Sequence, residues 1–317
     1  MLDLLNDLLW GKVLIVTLIG LGIYFTVASR FVQVRYFGSM FSIFAQAFQR
    51  QKGQLSSFQA LMLSVAGRVG AGNIAGVAVA ITMGGPGAVF WMWLVALLGM
   101  ATSFFECSLA QLYKRREADG TYRGGPAFYI LHGLGQRWLA VVFSVLLLVT
   151  FGFGFNALQA YTVANSLHDT FGISTQLSGI AVAVVISLIV FGGIKRIARS
   201  ADILVPVMAL SYIFMALVVI GMNLEAVPAT LALIVKSAFG LEPAFAGGVG
   251  AAILMGVKRG LFSNEAGLGS APNVAAIAEV THPAAQGLVQ SLSVFIDTLL
   301  ICTSTALIIL LSGVYQP

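Results

Sequence analysis

Residues 66–80 read AGRVGAGNIAGVAVA. They place an arginine, an asparagine and four glycines inside an apolar segment long enough to cross a membrane. Each glycine costs a helix interior about 1 kcal/mol relative to alanine. A broken helix in lipid also leaves backbone N–H and C=O groups unpaired, which is expensive. Gly67, Gly70, Gly72 and Gly76 therefore mark a place where something other than the helix satisfies the backbone. Free carbonyls suit a dehydrated Na+. Free N–H groups at the start of a half-helix suit a carboxylate, helped by the helix dipole. Asn73 adds an amide oxygen for a cation and an amide N–H2 for a carboxylate. The set fits a small zwitterion with a cation beside it. The alternative is close helix packing, for which Gly72 and Gly76 have the i, i+4 spacing.

A second apolar segment is interrupted in the same manner by SNEAGLGS, residues 263–270, with Phe262 just before it as core filling or as a lid. Two glycine-interrupted segments in corresponding places point to the binding site of a membrane transporter. Other polar residues fall in apolar runs. Asn156 and Gln159 share a helix face and offer either interhelical bonding or ligand contact. Glu106, Glu265 and Asp297 are acids at membrane depth, where ionisable groups are costly and point to function. Buried charge pairing is the competing reading for Glu106 and Asp297, with Arg68, Lys258 or Arg259 as partners. His132, His168 and His282 lie near span ends and read as interfacial anchors.

The elements that must position these groups are membrane helices. The chain has 317 residues, of which 59% are hydrophobic and 9% charged. Mean hydropathy is +0.95, and soluble domains carry about 25% charged residues. Eight spans of roughly 20 apolar residues are expected: 12–29, 58–84, 88–112, 138–165, 176–193, 203–222, 244–280 (interrupted) and 287–311. Residues 31–57 read as an amphipathic interfacial helix, and residues 122–138 as an interfacial turn and helix with aromatic anchors.

Basic residues set the orientation. The connection after the first span holds Arg30, Arg35, Arg50 and Lys52. That after the third holds Lys114, Arg115, Arg116, Arg123 and Arg137, and that after the fifth Lys195, Arg196 and Arg199. The connections after the second and fourth spans have no Lys or Arg, and that after the sixth only Lys236. The positive-inside rule then puts the N-terminus outside. Asp3 and Asp7 at the leading end are unlike a secretory signal, so the first span reads as retained. Cys107 and Cys302 lie in apolar runs without metal-ligand spacing and read as core packing. There is no HExxH, no GxSxG and no metal-ligand set, which argues against an enzyme. The formal charge of +5 sits in short loops between apolar runs and does not imply nucleic acid.

The stretches GNIAGVAVAITMGGPGAVFWMWLVALLGMATSFFECSLAQLY, RGGPAFY, GGIKR, LVPVMA, KSAFG, FSNEAGLGSAPN and FIDTLLICTSTALIILLSG resemble the sodium:alanine (alanine/glycine:cation) symporter family, from about residue 50 to the end. The resemblance implies an all-α polytopic membrane protein with a leucine-transporter-like inverted-repeat fold. Residues 12–29 would be an extra first transmembrane helix, 58–222 a first five-helix repeat, and 244–317 the first two helices of a second, incomplete repeat, all within a single membrane domain over 1–317. Members usually continue for about three more helices.

The implied activity is Na+-coupled symport of alanine and glycine by alternating access, at a plasma (inner) membrane. Na+ is the coupling ion, no cofactor is needed, and the partners are the small neutral amino acid, Na+ and the bilayer. Gly70, Ala71, Gly72, Asn73, Gln159, Phe262 and Ser263 are the implied substrate contacts; Gly70, Asn73 and Asn264 are the implied cation contacts. Many members carry threonine where this chain has Arg68 and Ala71, so a hydroxyl is missing from the first break. The alternatives are an H+-coupled symporter and a non-transporting truncated paralogue or partner subunit.

Overall fold

The computed structural model describes residues 6, 8–46, 56–118, 120–241, 248–313 and 315. Asp3, Asp7, Arg50 and Lys52, used above for the N-terminus and its orientation, lie outside the described residues. Helices dominate. The first, α1 (Leu9–Ala28), is followed by two short helices, α2 (Val32–Arg35) and α3 (Phe37–Gln46). The second expected span is two half-helices, α4 (Ser57–Arg68) and α5 (Ala75–Gly84), with residues 69–74 between them. A long unbroken helix α6 (Gly87–Leu112) comes next. Then follow α7 (Pro126–Gly133), α8 (Arg137–Phe171), α9 (Thr175–Val190), α10 (Gly193–Met222) and α11 (Val227–Ala238). The second interrupted span is α12 (Gly248–Asn264) and α13 (Ser270–Ala276), and α14 (Pro283–Leu311) closes the described fold.

Among the described residues five helices are long and apolar enough to cross a membrane: α1, α6, α8, α10 and α14. The expected span 176–193 is the 16-residue α9, about 24 Å long at 1.5 Å per residue.

Four expectations are corrected. The all-α reading misses a small antiparallel ribbon, β1 (Arg115–Arg116) with β2 (Tyr122–Arg123). It is turned by Gly120 at φ +83° and tied by an Arg123–Glu117 ion pair of 3.6 Å. The expected span 203–222 begins ten residues earlier, so Lys195, Arg196 and Arg199 lie on the first turns of α10 rather than in a loop. The expected span 138–165 extends to Phe171. Helix α11 stands where only a connection was expected. Pro228, its second residue, presets the first turn. Its end packs on α6, where Trp91 Nε1 donates to Ala238 O at 3.3 Å and Phe239 meets the ring of Phe90 at 5.2 Å.

The interior is built around α6, with α12 and α14 packed along it. Glycine permits the closest approach. A Cβ on Gly256 would meet the Ala88 carbonyl and lie 2.5 Å from Trp91 Cβ; one on Gly260 would lie 3.2 Å from Met92 Cα. Gly256 and Gly260 therefore form the small-residue packing seam between α12 and α6. By contrast, a Cβ on Gly67 meets nothing within 4 Å, and one on Gly76 reaches only ordinary contacts at 3.8 and 4.0 Å. Close packing is thus not what calls for Gly67 and Gly76.

Helix α4 begins with a capping box. Ser56 Oγ accepts from Gln59 N and Gln59 Oε1 accepts from Ser56 N, both at 3.2 Å. Gln59 Nε2 also donates to Asp202 of α10 at 2.9 Å, so the cap ties two helices together. Three stretches are π-helical, with the wider i→i+5 turn: Leu9–Val13 in α1, Leu148–Phe155 in α8 and Phe295–Cys302 in α14. Such turns recur at functional sites because they re-aim side chains; the third carries Asp297.

Candidate functional site

The two breaks face each other, and Asn73 joins them. Its Oδ1 accepts from Gly70 N at 2.9 Å, closing the first break on itself. Its Nδ2 reaches across to Ser263 Oγ at 3.0 Å and to Asp297 Oδ1 at 2.7 Å. Asn73, Ser263, Asp297 and Thr298 are all 0% exposed. Ser263 Oγ in turn donates to Asp297 Oδ2 at 2.7 Å, and Thr298 Oγ1 donates to the same oxygen at 2.8 Å. Cys302 Sγ lies 3.1 Å from Ser263 Oγ and 3.3 Å from Asn73 Nδ2.

The backbone groups freed by the first break are met from three elements. Thr305 Oγ1 of α14 donates to Asn73 O at 2.8 Å. Gln159 Oε1 of α8 accepts from Ala71 N at 2.9 Å. Ala71 O accepts from Gly76 N at 2.9 Å. No hydrogen bond among the described residues is given by Gly72 N, which lies just ahead of α5. Gly70 is walled by Gln159: a Cβ there would lie 2.5 Å from Gln159 Nε2. Gly72 is walled by Phe262, at 3.3 Å from the same construction. The ring of Phe262 is stacked on Phe155 at 5.1 Å and meets Trp10 edge-on at 6.4 Å. Beside it a vestibule of about 430 Å³ is lined by Trp10, Phe155, Met255, Lys258, Arg259 and Phe262 itself among others. Phe262 therefore borders both the vestibule and Gly72.

The second break is built from left-handed backbone. Glu265 at φ +53° is a non-glycine in that region, and Gly267 and Gly269 follow at +86° and +85°. Its backbone donors are met by side chains: Asn264 Oδ1 accepts from Ala266 N at 3.0 Å and Glu106 Oε1 from Gly267 N at 3.2 Å. Ser270 Oγ donates to Glu265 Oε2. Two carboxylates thus sit at the N-terminal end of α13, where the dipole favours them.

The geometry brings together Gly70, Ala71, Gly72, Asn73, Gln159, Phe262 and Ser263. It does not bring Asn264 to them. That side chain caps its own break and lies beside Gly99 of α6. Asn156 donates to Gly152 O at 3.0 Å within its own helix. The expected pairing of Arg68 with Glu106 or Asp297 is not formed, and neither acid forms an ion pair with Lys258 or Arg259. The Arg68 guanidinium, at the C-terminal end of α4, donates instead to Ser293 Oγ and to Gln290 O of α14, and to Ser103 Oγ of α6 at 3.3 Å. The reason is the direction of the side chain: the break turns the chain just after Arg68 and aims the guanidinium along the α4–α6–α14 seam. Thr298, Thr305, Ser293 and Ser103 were missed from the sequence. Their only signal is a hydroxyl in an apolar run, which many buried helices carry to bond their own backbone.

The family model described as the sodium:alanine symporter family matches residues 1–317, so the match includes the first helix, which lay outside the motif resemblance. The amino-acid carrier protein AlsT of Bacillus subtilis is 52% identical over 314 residues, 99% of this chain and 67% of that protein. The probable sodium/glutamine symporter GlnT of the same organism is 50% identical over 312 residues, 98% of this chain and 65% of that protein. A sodium/proton-dependent alanine carrier protein of Bacillus sp. (strain PS3) is 45% identical over 266 residues, 83% of this chain and 58% of that protein. The chain spans about two thirds of the length of the curated relatives it matches most fully.

Proposed function

Because the chain belongs to the sodium:alanine symporter family, we propose that it forms the ligand-binding part of a Na+-coupled symporter of small neutral amino acids, alanine and glycine. The observation that carries this reading is the junction of two broken helices through Asn73 and Ser263 beneath Phe262. The leucine-transporter-like arrangement belongs to the proposal. It draws support from the order of elements: each proposed repeat, 58–222 and 244–317, opens with a broken helix and continues with a long unbroken one, α4/α5 then α6, and α12/α13 then α14.

The steps follow from the groups present. The amino-acid carboxylate meets the unbonded Gly72 N–H at the start of α5, where the helix dipole favours an anion. Gln159, bonded to Ala71 N in this state, turns to the ligand as that amide is claimed. The side chain of the amino acid faces Phe262 and Phe155. With the N-terminus outside, the vestibule above Phe262 opens outward, and Lys258 and Arg259 on its wall attract carboxylates. Displacement of Phe262 admits the ligand, and rocking of the broken helices releases it inside.

The name of GlnT carries glutamine rather than alanine. The small gap between Gly72 and Phe262 favours the smaller side chains for this chain. Na+ is preferred to H+ as the coupling ion because the junction offers hydroxyl and carboxylate oxygens together. The test is binding of radiolabelled alanine to the purified protein with and without Na+, in wild type and Asn73→Ala. The expected result is Na+-dependent binding that Asn73→Ala abolishes. Binding indifferent to Na+ in the wild type would refute the coupling, and unchanged binding in Asn73→Ala would refute the placement of the site.

A further inference from the structure

Among the described residues, no group of opposite charge pairs with the acid at the centre of the junction. Asp297 is 0% exposed and, among the described residues, is bonded to neutral donors alone: Asn73 Nδ2, Ser263 Oγ and Thr298 Oγ1. A buried carboxylate stays ionised only when it is paired, well hydrogen-bonded or coordinated, and otherwise takes up a proton. The cations of the interior are occupied elsewhere or stand off. Arg68 is held by Ser293, Gln290 and Ser103. Lys258 and Arg259 line the vestibule, and neither forms an ion pair with Asp297 among the described residues.

We propose that Asp297 is the anionic ligand of the coupling Na+, in a site completed by the hydroxyls of Ser263 and Thr298, with Asn73 reporting its occupancy to the first break. This rests on the Na+-coupled reading above and names the group that carries the charge. Hard oxygen donors suit Na+. Both hydroxyls now point their hydrogens at the carboxylate; each can rotate and present a lone pair instead. The junction is closed, so the ammonium of an amino acid would have to bring its Cα past Asn73 and Ser263, both fully buried, whereas a bare ion carries no such bulk. The wide π turn over Phe295–Cys302 aims Asp297 into the junction. The coupling follows from the bonds. An ion on Asp297 competes with Asn73 Nδ2 for Oδ1, and Asn73 is the residue whose Oδ1 holds Gly70 N. Ion binding therefore changes the backbone that meets the amino acid.

The experiment measures 22Na+ binding to the purified protein without amino acid, and alanine binding at saturating Na+, in wild type, Asp297→Asn, Thr298→Ala and Ser263→Ala. Asp297→Asn is expected to lose Na+ binding while remaining monodisperse. Thr298→Ala, which keeps the carboxylate, is expected to weaken Na+ about 10- to 100-fold, the range seen when a supporting group of an ion site is lost, and to keep alanine binding once Na+ is saturating. Wild-type Na+ affinity in Asp297→Asn overturns the proposal. If Asp297→Asn fails to fold, unchanged Na+ affinity in both hydroxyl variants overturns it. Loss of alanine binding with Na+ binding intact in Asp297→Asn would make the carboxylate the partner of the amino group, and also overturns it. Absence of Na+ binding in the wild type would remove the Na+-coupled reading itself, which separates the two failures.

Discussion

Gly72→Ala tests where the amino-acid side chain lies. An added Cβ would stand 3.3 and 3.4 Å from two ring carbons of Phe262 and 3.5 Å from Ser263 Cα. The ring must yield by a few tenths of an ångström. Gly72 is not among the left-handed glycines, so alanine adopts its backbone without strain. Folding should survive with little change in Tm. The space between Gly72 and the ring is lost, however, and that is the space assigned to the ligand side chain. One methyl-sized difference in an apolar pocket is worth about 1–3 kcal/mol, or roughly 10–200-fold. Alanine affinity should fall by that factor, and glycine affinity much less, because glycine places nothing there. The assay is competition of unlabelled alanine and glycine against radiolabelled glycine at saturating Na+. Equal loss for both ligands, or no loss for either, would show that the side chain does not lie between Gly72 and Phe262.

Substitutions at four further positions test the frame around the site. Gly256→Ala drives a Cβ into the Ala88 carbonyl and the Trp91 side chain and should reduce folded, monodisperse protein on size exclusion. Gly67→Ala meets nothing within 4 Å in a helix and should stabilise by about 0.4–1 kcal/mol in thermal unfolding. Glu106→Ala orphans Gly267 N and should cost about 1–3 kcal/mol, whereas Glu106→Gln keeps an acceptor and should cost less; equal melting of the two would remove the capping role. Arg68→Ala loses the bonds to Ser293, Ser103 and Gln290 and leaves a cavity, for about 3 kcal/mol or more. Arg68→Lys should not restore it, since one ammonium cannot replace the planar fork; a Tm equal to wild type in Arg68→Lys would refute this.

Both breaks were legible because glycine and amide residues are conspicuous in an apolar run, and Asn73, Gln159, Phe262 and Ser263 do converge. The glycine signal was coarser than it looked. Gly70 and Gly72 are crowded by site residues, Gly67 and Gly76 are not, and the packing seam is formed by Gly256 and Gly260. Spacing carries no information about which neighbour fills a glycine's space. The partners of Arg68 were illegible for a similar reason. Opposite charge suggested an acid, but a side chain at the end of a half-helix goes where the break aims it, here to Ser293 and Ser103. Helix α11 was hidden because its 12 residues are too short for a span and follow directly on one. Asp297 was visible as a costly acid, yet its tie to Asn73 depends on α14 crossing both breaks, a tertiary fact.

The wide turn over Phe295–Cys302 also fixes the phase of α14. A π turn amounts to a residue inserted into an α-helix. Asp297 lies within it and Thr305 beyond it, and both meet Asn73, one at its amide nitrogen and one at its carbonyl. Removing a single residue there would restore an ordinary helix and leave the backbone content. It would also rotate one end against the other by roughly 100°, the angle per residue of a 3.6-residue turn. Either Asp297 or Thr305 would then face away from the junction. The length of this stretch is therefore as much a part of the site as the residues in it.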